Sequence, residues 1–156
     1  MFWNRKPILP TVALDPGAEN NGFATMLADL VRQNLEAKPH KVRDFDRIRG
    51  SIAIVAEDAE VALTLVFSEG QLTVHDGIVG VPNVTVRGTS DIIMAMSNIP
   101  LTRRLALPIP ARGDRQGRET MRDIGAAMRD GSFHAYGMPF HVPMMVHLTR
   151  VMSVNG

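Results

Sequence analysis

Apolar positions first recur at three- and four-residue spacing. Phe23, Met26, Leu27, Leu30, Val31 and Leu35 form one stripe, which predicts a helix. Asn20 or Asn21 suits its N-cap and Pro39 its end. The period then changes to two. Residues 51–56 are a short β-branched run, and Val61, Leu63, Leu65 and Phe67 alternate along 61–67. In 71–75, Leu72 and Val74 point one way and Gln71, Thr73 and His75 the other. A polar turn at 57–60 and the Ser68-Glu69-Gly70 turn make these runs an antiparallel meander with one apolar face.

Residues 83–87 read as a fourth strand, with Val84 and Val86 sharing a face. The period then returns to helical. Thr89 or Ser90 can cap a helix whose apolar side is Ile92, Ile93, Met96 and Ile99. A further helix is expected over about 118–130, with Met121, Ile124 and Met128 on one face and Gly131 as its terminator. Residues 133–137 give a fifth strand. Pro143 then opens a final helix carrying Met144, Met145, Leu148, Val151 and Met152.

Helices segregated from a hairpin meander predict an α+β fold, a five-stranded, mostly antiparallel sheet with helices covering one face. Residues 1–19, with Pro7, Pro10, Pro16 and Gly17, read as an extended N-terminal arm ahead of a single domain over 20–156. Residues 100–117 are irregular, broken by Pro100, Pro108, Pro110, Gly113 and Gly117.

The chain has 156 residues, enough to bury a core without disulfides or metal. It has no cysteine, which removes disulfides, thiolate nucleophiles and Cys-type zinc sites. Arg5, Lys6, Pro7 and Pro10 interrupt the first residues and no long apolar run follows, so neither a secretory leader nor a transmembrane helix is expected, and a cytoplasmic protein is. Net charge is +1, no signature of a polyanion binder. Ten methionines suit either core gap-filling or an adaptable apolar site.

Candidate chemistry is sparse. Ser68, His75 and Asp76 lack a nucleophile-elbow context. His134, His141 and His147 have no metal-ligand spacing, and Glu57, Asp58 and Glu60 sit in a turn. No enzyme activity, metal or cofactor is expected. Arg103, Arg104, Arg112, Arg115 and Arg118 are opposed over their span only by Asp114. They suit either a solvated loop or contact with anionic lipid headgroups. Nucleic acid is not expected, because the patch is small and lacks interleaved aromatics.

The order of elements resembles the sterol carrier protein type-two family. The matching pieces are 50–55, 61–67, the turn at Gly70 and 71–74. The most telling are Pro82-Asn83-Val84-Thr85-Val86 with the helix from Ser90, and 128–137, a short helix, Gly, strand, Gly. The resemblance implies a hydrophobic tunnel for an apolar, lipid-like ligand such as a fatty acid, phospholipid or isoprenoid lipid, and an accessory role in lipid or quinone metabolism. The connection over 102–120 looks longer than the family's.

The same-face strand residues and the helix stripes give the expected lining. From the sheet come Leu63, Leu65, Phe67, Leu72, Val74, Val84 and Val86. From the later elements come Ile93, Met96, Met121, Ile124, Met128, Phe133, Met144, Met145 and Leu148. The arginines would guide a headgroup or an anionic membrane. The rival reading is a dimerising scaffold or accessory subunit with a filled core, and a homodimer or protein partner stays open.

Overall fold

A computed structural model describes residues 10–101 and 109–156. The elements are β1 (Thr11–Leu14), α1 (Gly22–Ala37), α2 (Val42–Arg47), β2 (Gly50–Ala56), β3 (Val61–Ser68), β4 (Gln71–Asp76) and β5 (Val84–Gly88). They continue as α3 (Ser90–Ala95), α4 (Arg115–Asp130), β6 (His134–Tyr136) and α5 (Val142–Met152). Short 3-10 turns intervene, among them Pro39–Lys41, Met96–Asn98 and Met138–Phe140.

The fold is α+β, but the sheet departs from the expected five mostly antiparallel strands. Among the described residues it has six, in the order β1-β4-β3-β2-β5-β6, and it is mixed. β2, β3 and β4 form the antiparallel meander, whereas β2 pairs with β5, and β4 with β1, in parallel. β1 falls within the segment read as an arm. Four residues close to Pro10 and Pro16 give too little alternation to announce a strand, and a parallel pair leaves no hairpin signal in the sequence.

Register brings the expected apolar positions onto one face. Ile52 lies opposite Leu65 and Val84, Ile54 opposite Leu63 and Val86, and Phe67 opposite Leu72. All are buried. A one-residue slip would turn the whole set outward, so burial fixes the register. The β3–β4 turn supports it. Glu69 and Gly70 both have positive φ, +49° and +75°, the backbone that a two-residue hairpin needs.

Helix α1 lies against β1, β3 and β4. Asn21 is its cap: Oδ1 accepts from the Phe23 and Ala24 N–H groups, both at 3.2 Å. Its Nδ2 donates to the Ala62 carbonyl (3.0 Å) and the Asp76 carboxylate (2.9 Å), tying the helix start to the meander. The buried stripe is Ala24, Leu27, Ala28, Val31 and Leu35, while Met26 is exposed. Two alanines, not the larger Met26, let the helix come close to the sheet.

Helix α4 starts at Arg115 rather than about Arg118. The Asp114 carboxylate accepts from the Gly117 N–H (2.8 Å), and a side chain at Gly117 would overlap that carboxylate. A glycine read as loop punctuation thus belongs to the first helical turn. Helix α2 was not expected at all. Its six residues bury Phe45, which meets Phe67 edge-to-face at 5.8 Å.

Helix α5 is clamped at its C-terminus. Asn34 Nδ2 donates to the Val151 and Met152 carbonyls, both at 2.9 Å. Lys41, only 2% exposed, donates from Nζ to the carbonyls of Arg150 (2.7 Å), Asn155 (2.6 Å) and Ser153. The last carbonyls of a helix have no intrahelical partner, so a cation here both satisfies them and meets the negative end of the helix dipole.

The close approach of β6 to β5 depends on Gly137. Its φ is +83°, and a Cβ there would overlap the Asn83 carbonyl oxygen. Gly137→Ala is expected to cost at least about 2 kcal/mol. At roughly 2–4 °C per kcal/mol for a chain of this size, the midpoint of thermal unfolding would fall by about 4–8 °C. An unchanged midpoint would show that the turn can move aside.

Candidate functional site

The later helices do not close fully against one another. Between the end of α3, the inner side of α4, β6 and the flank of α5 lies a cavity of about 290 Å³. Its walls are Met96, Ile99 and Leu101, then Ile124 and Met128 from α4. Phe133, Ala135 and Met138 follow, and α5 adds Val142, Met145, Val146, Thr149 and Arg150. Only Thr149 and Arg150 among these carry polar side chains. The described walls of such a space can bury aliphatic surface and offer few partners to a polar ligand.

Arg150 is oriented from outside the cavity. Its guanidinium reaches Asp44 Oδ1 at 3.3 Å, and His147 Nδ1 lies 2.7 Å from the same oxygen. Asp44 belongs to α2, so one carboxylate fixes the edge of α5 that carries His147 and Arg150, beside the flank that faces the cavity.

The expected lining residues divide into two groups. Met96, Ile124, Met128, Phe133 and Met145 are on the cavity wall. Leu63, Leu65, Phe67, Leu72, Val74, Val84, Val86, Ile93 and Leu148 are buried in the core and are not on that wall; Met121 and Met144 pack against the core, half-buried. Among the described residues, the sheet's apolar face is buried beneath helices. Ile99, Leu101, Ala135, Met138, Val142, Val146, Thr149 and Arg150 also line the cavity and were not among the expected residues. A signal existed for part of this set: Val142, Met145, Val146 and Thr149 are spaced i, i+3, i+4, i+7, one face of a helix.

The sparse polar chemistry does not converge. Ser68 pairs with Gln71 and His75 with Thr64, so Ser68 and His75 sit four strand positions apart, about 13 Å. His75 instead lies 3.4 Å from Asp15. His134 stacks on Tyr136 and His147 is held by Asp44. Among the described residues, no three metal-capable side chains come together.

Two of the three turn carboxylates, Glu57 and Asp58, have structural partners. Glu57 pairs with Arg87. Asp58 accepts from the Ser90 hydroxyl and N–H, both at 2.7 Å, and these bonds, the hydroxyl first, hold its carboxyl below the ordinary range. Arg112, Arg115 and Arg118 are exposed at the start of α4; Arg103 and Arg104 lie outside the described residues. No described helix is long and apolar enough to cross a membrane.

No family model and no curated protein matches the chain. Among solved structures, the chain is similar to one described as "UbiJ-SCP2 Ubiquinone synthesis protein". The match has a TM-score of 0.57 at 18% identity and covers 86% of this chain and 98% of that one. At that identity the likeness speaks to architecture alone: the chain shares the α+β, SCP2-like fold of that structure.

Proposed function

We propose that this protein binds an apolar, lipid-like molecule in the cavity between α4, α5 and β6 and works without covalent chemistry, as a carrier or accessory factor in lipid or quinone metabolism. The observation that carries the reading is the cavity itself, a space walled by aliphatic, methionine and phenylalanine side chains in an SCP2-like fold. The solved neighbour is described as a ubiquinone synthesis protein, which favours an isoprenoid or acyl ligand. Burial of each methylene contributes about 0.8 kcal/mol, so a chain with ten methylenes inside gains roughly 8 kcal/mol before the cost of immobilising it. That gross gain sets micromolar affinity as the upper bound for ten buried methylenes. Methionines suit a wall that adjusts to ligands of differing shape.

Native mass spectrometry of the purified protein, with organic extraction of what co-purifies, tests this. The expected result is a stoichiometric acyl or isoprenoid species, or its uptake when fatty acid or quinone is added. A clean ligand-free mass that neither addition changes would favour the rival, a scaffold that uses the same fold without a ligand.

A further inference from the structure

Two elements that border the cavity carry features the lining does not use. One is the turn Met138–Phe140. Met138 and Val142 line the cavity, while Phe140, between them in the chain, is 87% exposed and Val142 is 51% exposed. The ring is held outward by a defined turn, in which the Phe140 N–H donates to the Gly137 carbonyl (3.2 Å) and the His141 N–H to that of Met138 (3.0 Å). Phe140 and Val142 thus put two exposed apolar side chains beside the cavity wall.

The other element is α4. At about 100° per residue, Arg115, Arg118, Arg122 and Arg129 fall along one edge of this helix, and Glu119, Asp123 and Asp130 along the other. The arginines are exposed, and none pairs with a carboxylate among the described residues. Their edge adjoins Met128, which is 46% exposed and lines the cavity. Exposed apolar groups and unpaired cations therefore border one opening.

We propose that this rim docks on an anionic membrane surface, with Phe140 and Val142 entering the headgroup–acyl boundary and the α4 arginines lying over lipid phosphates. Aromatic and aliphatic side chains flanked by cations are the composition that partitions to such an interface. The docked cavity mouth faces the bilayer, so an apolar ligand crosses no water on entry. That consequence rests on the carrier reading; the docking does not.

Co-sedimentation with vesicles tests it. The wild type is expected to bind vesicles of phosphatidylglycerol with phosphatidylcholine, and to bind phosphatidylcholine alone far more weakly. Neutralising one interfacial arginine lowers the partition about fivefold, so Arg118→Gln, Arg122→Gln and Arg129→Gln together lower it about a hundredfold. Phe140→Ser lowers it about tenfold. Neither change touches the cavity wall, so both variants keep the wild-type unfolding midpoint and the uptake of fatty acid offered in solution. Equal binding to neutral vesicles, or full binding by Phe140→Ser, overturns the proposal. So does sedimentation as a dimer that Phe140→Ser abolishes, since the rim would then meet a second copy. Fatty acid uptake without vesicle binding defeats the docking alone, and vesicle binding by a protein that takes up no ligand defeats the carrier reading alone.

Discussion

Lys41→Met is expected to lower the unfolding midpoint by roughly 6–12 °C. Lys41 Nζ donates to three carbonyls at the end of α5 from a position with almost no solvent. Methionine keeps much of the length and volume and removes the donors. Buried carbonyls without partners cost about 1–3 kcal/mol each, and partial relaxation brings the total to about 3 kcal/mol. For a chain of this size, each kcal/mol moves the midpoint by roughly 2–4 °C. Circular dichroism melts would show it, and a shift under about 1 °C would mean that water replaces the ammonium without loss.

The same lysine adds a pH signature. Burial first, and Lys38 second, bring Lys41 down to about 8, with Asp44 opposing. At neutral pH it is still an ammonium. Between about 8 and the ordinary 10.5, the unfolded chain holds a proton that the folded chain has released. The group's contribution to stability therefore rises with pH through that window and is flat below it. The neutral amine still donates two N–H groups, so the clamp persists. The gap in midpoint between wild type and Lys41→Met is expected to widen from about pH 7 to about pH 10. A gap that narrows would mean that the three carbonyls hold the proton more firmly than burial expels it.

The meander and the helical covering were legible because alternation and three-to-four spacing report which face is buried. What escaped was set by contacts between distant segments. Thr11 to Leu14 become a strand only by lying beside β4. Val42 to Arg47 become a helix around one aromatic, Phe45. In sequence, Lys41 looks like any surface lysine, and its burial depends on where α5 ends. The cavity was half legible for the same reason. A stripe tells that Leu65 and Met145 face inward, but only the distances between elements decide that Leu65 meets a helix and Met145 meets a space. Met128, assigned to a buried stripe, is half-exposed because it stands at that opening.

Filling the space should remove the ligand and leave the fold. Val146 sits on the cavity flank of α5, between the turns that carry Val142 and Thr149. In Val146→Trp, the indole can occupy volume that no described side chain uses. The usual penalty for overpacking, about 1–3 kcal/mol in a dense core, should fall to its lower end, and the midpoint should drop by only a few degrees. Displacing about four methylenes of bound chain removes roughly 3 kcal/mol, so affinity for a fatty acid should weaken about a hundredfold. Thr73→Trp, on the sheet face turned away from the helices, is the matched control and should bind as the wild type does. A chain-length series sharpens the test. In the wild type, affinity should rise about fourfold per added methylene until the cavity is full. In Val146→Trp, the plateau should arrive several methylenes sooner. If the two proteins share one plateau, the ligand lies elsewhere and the cavity is not its site.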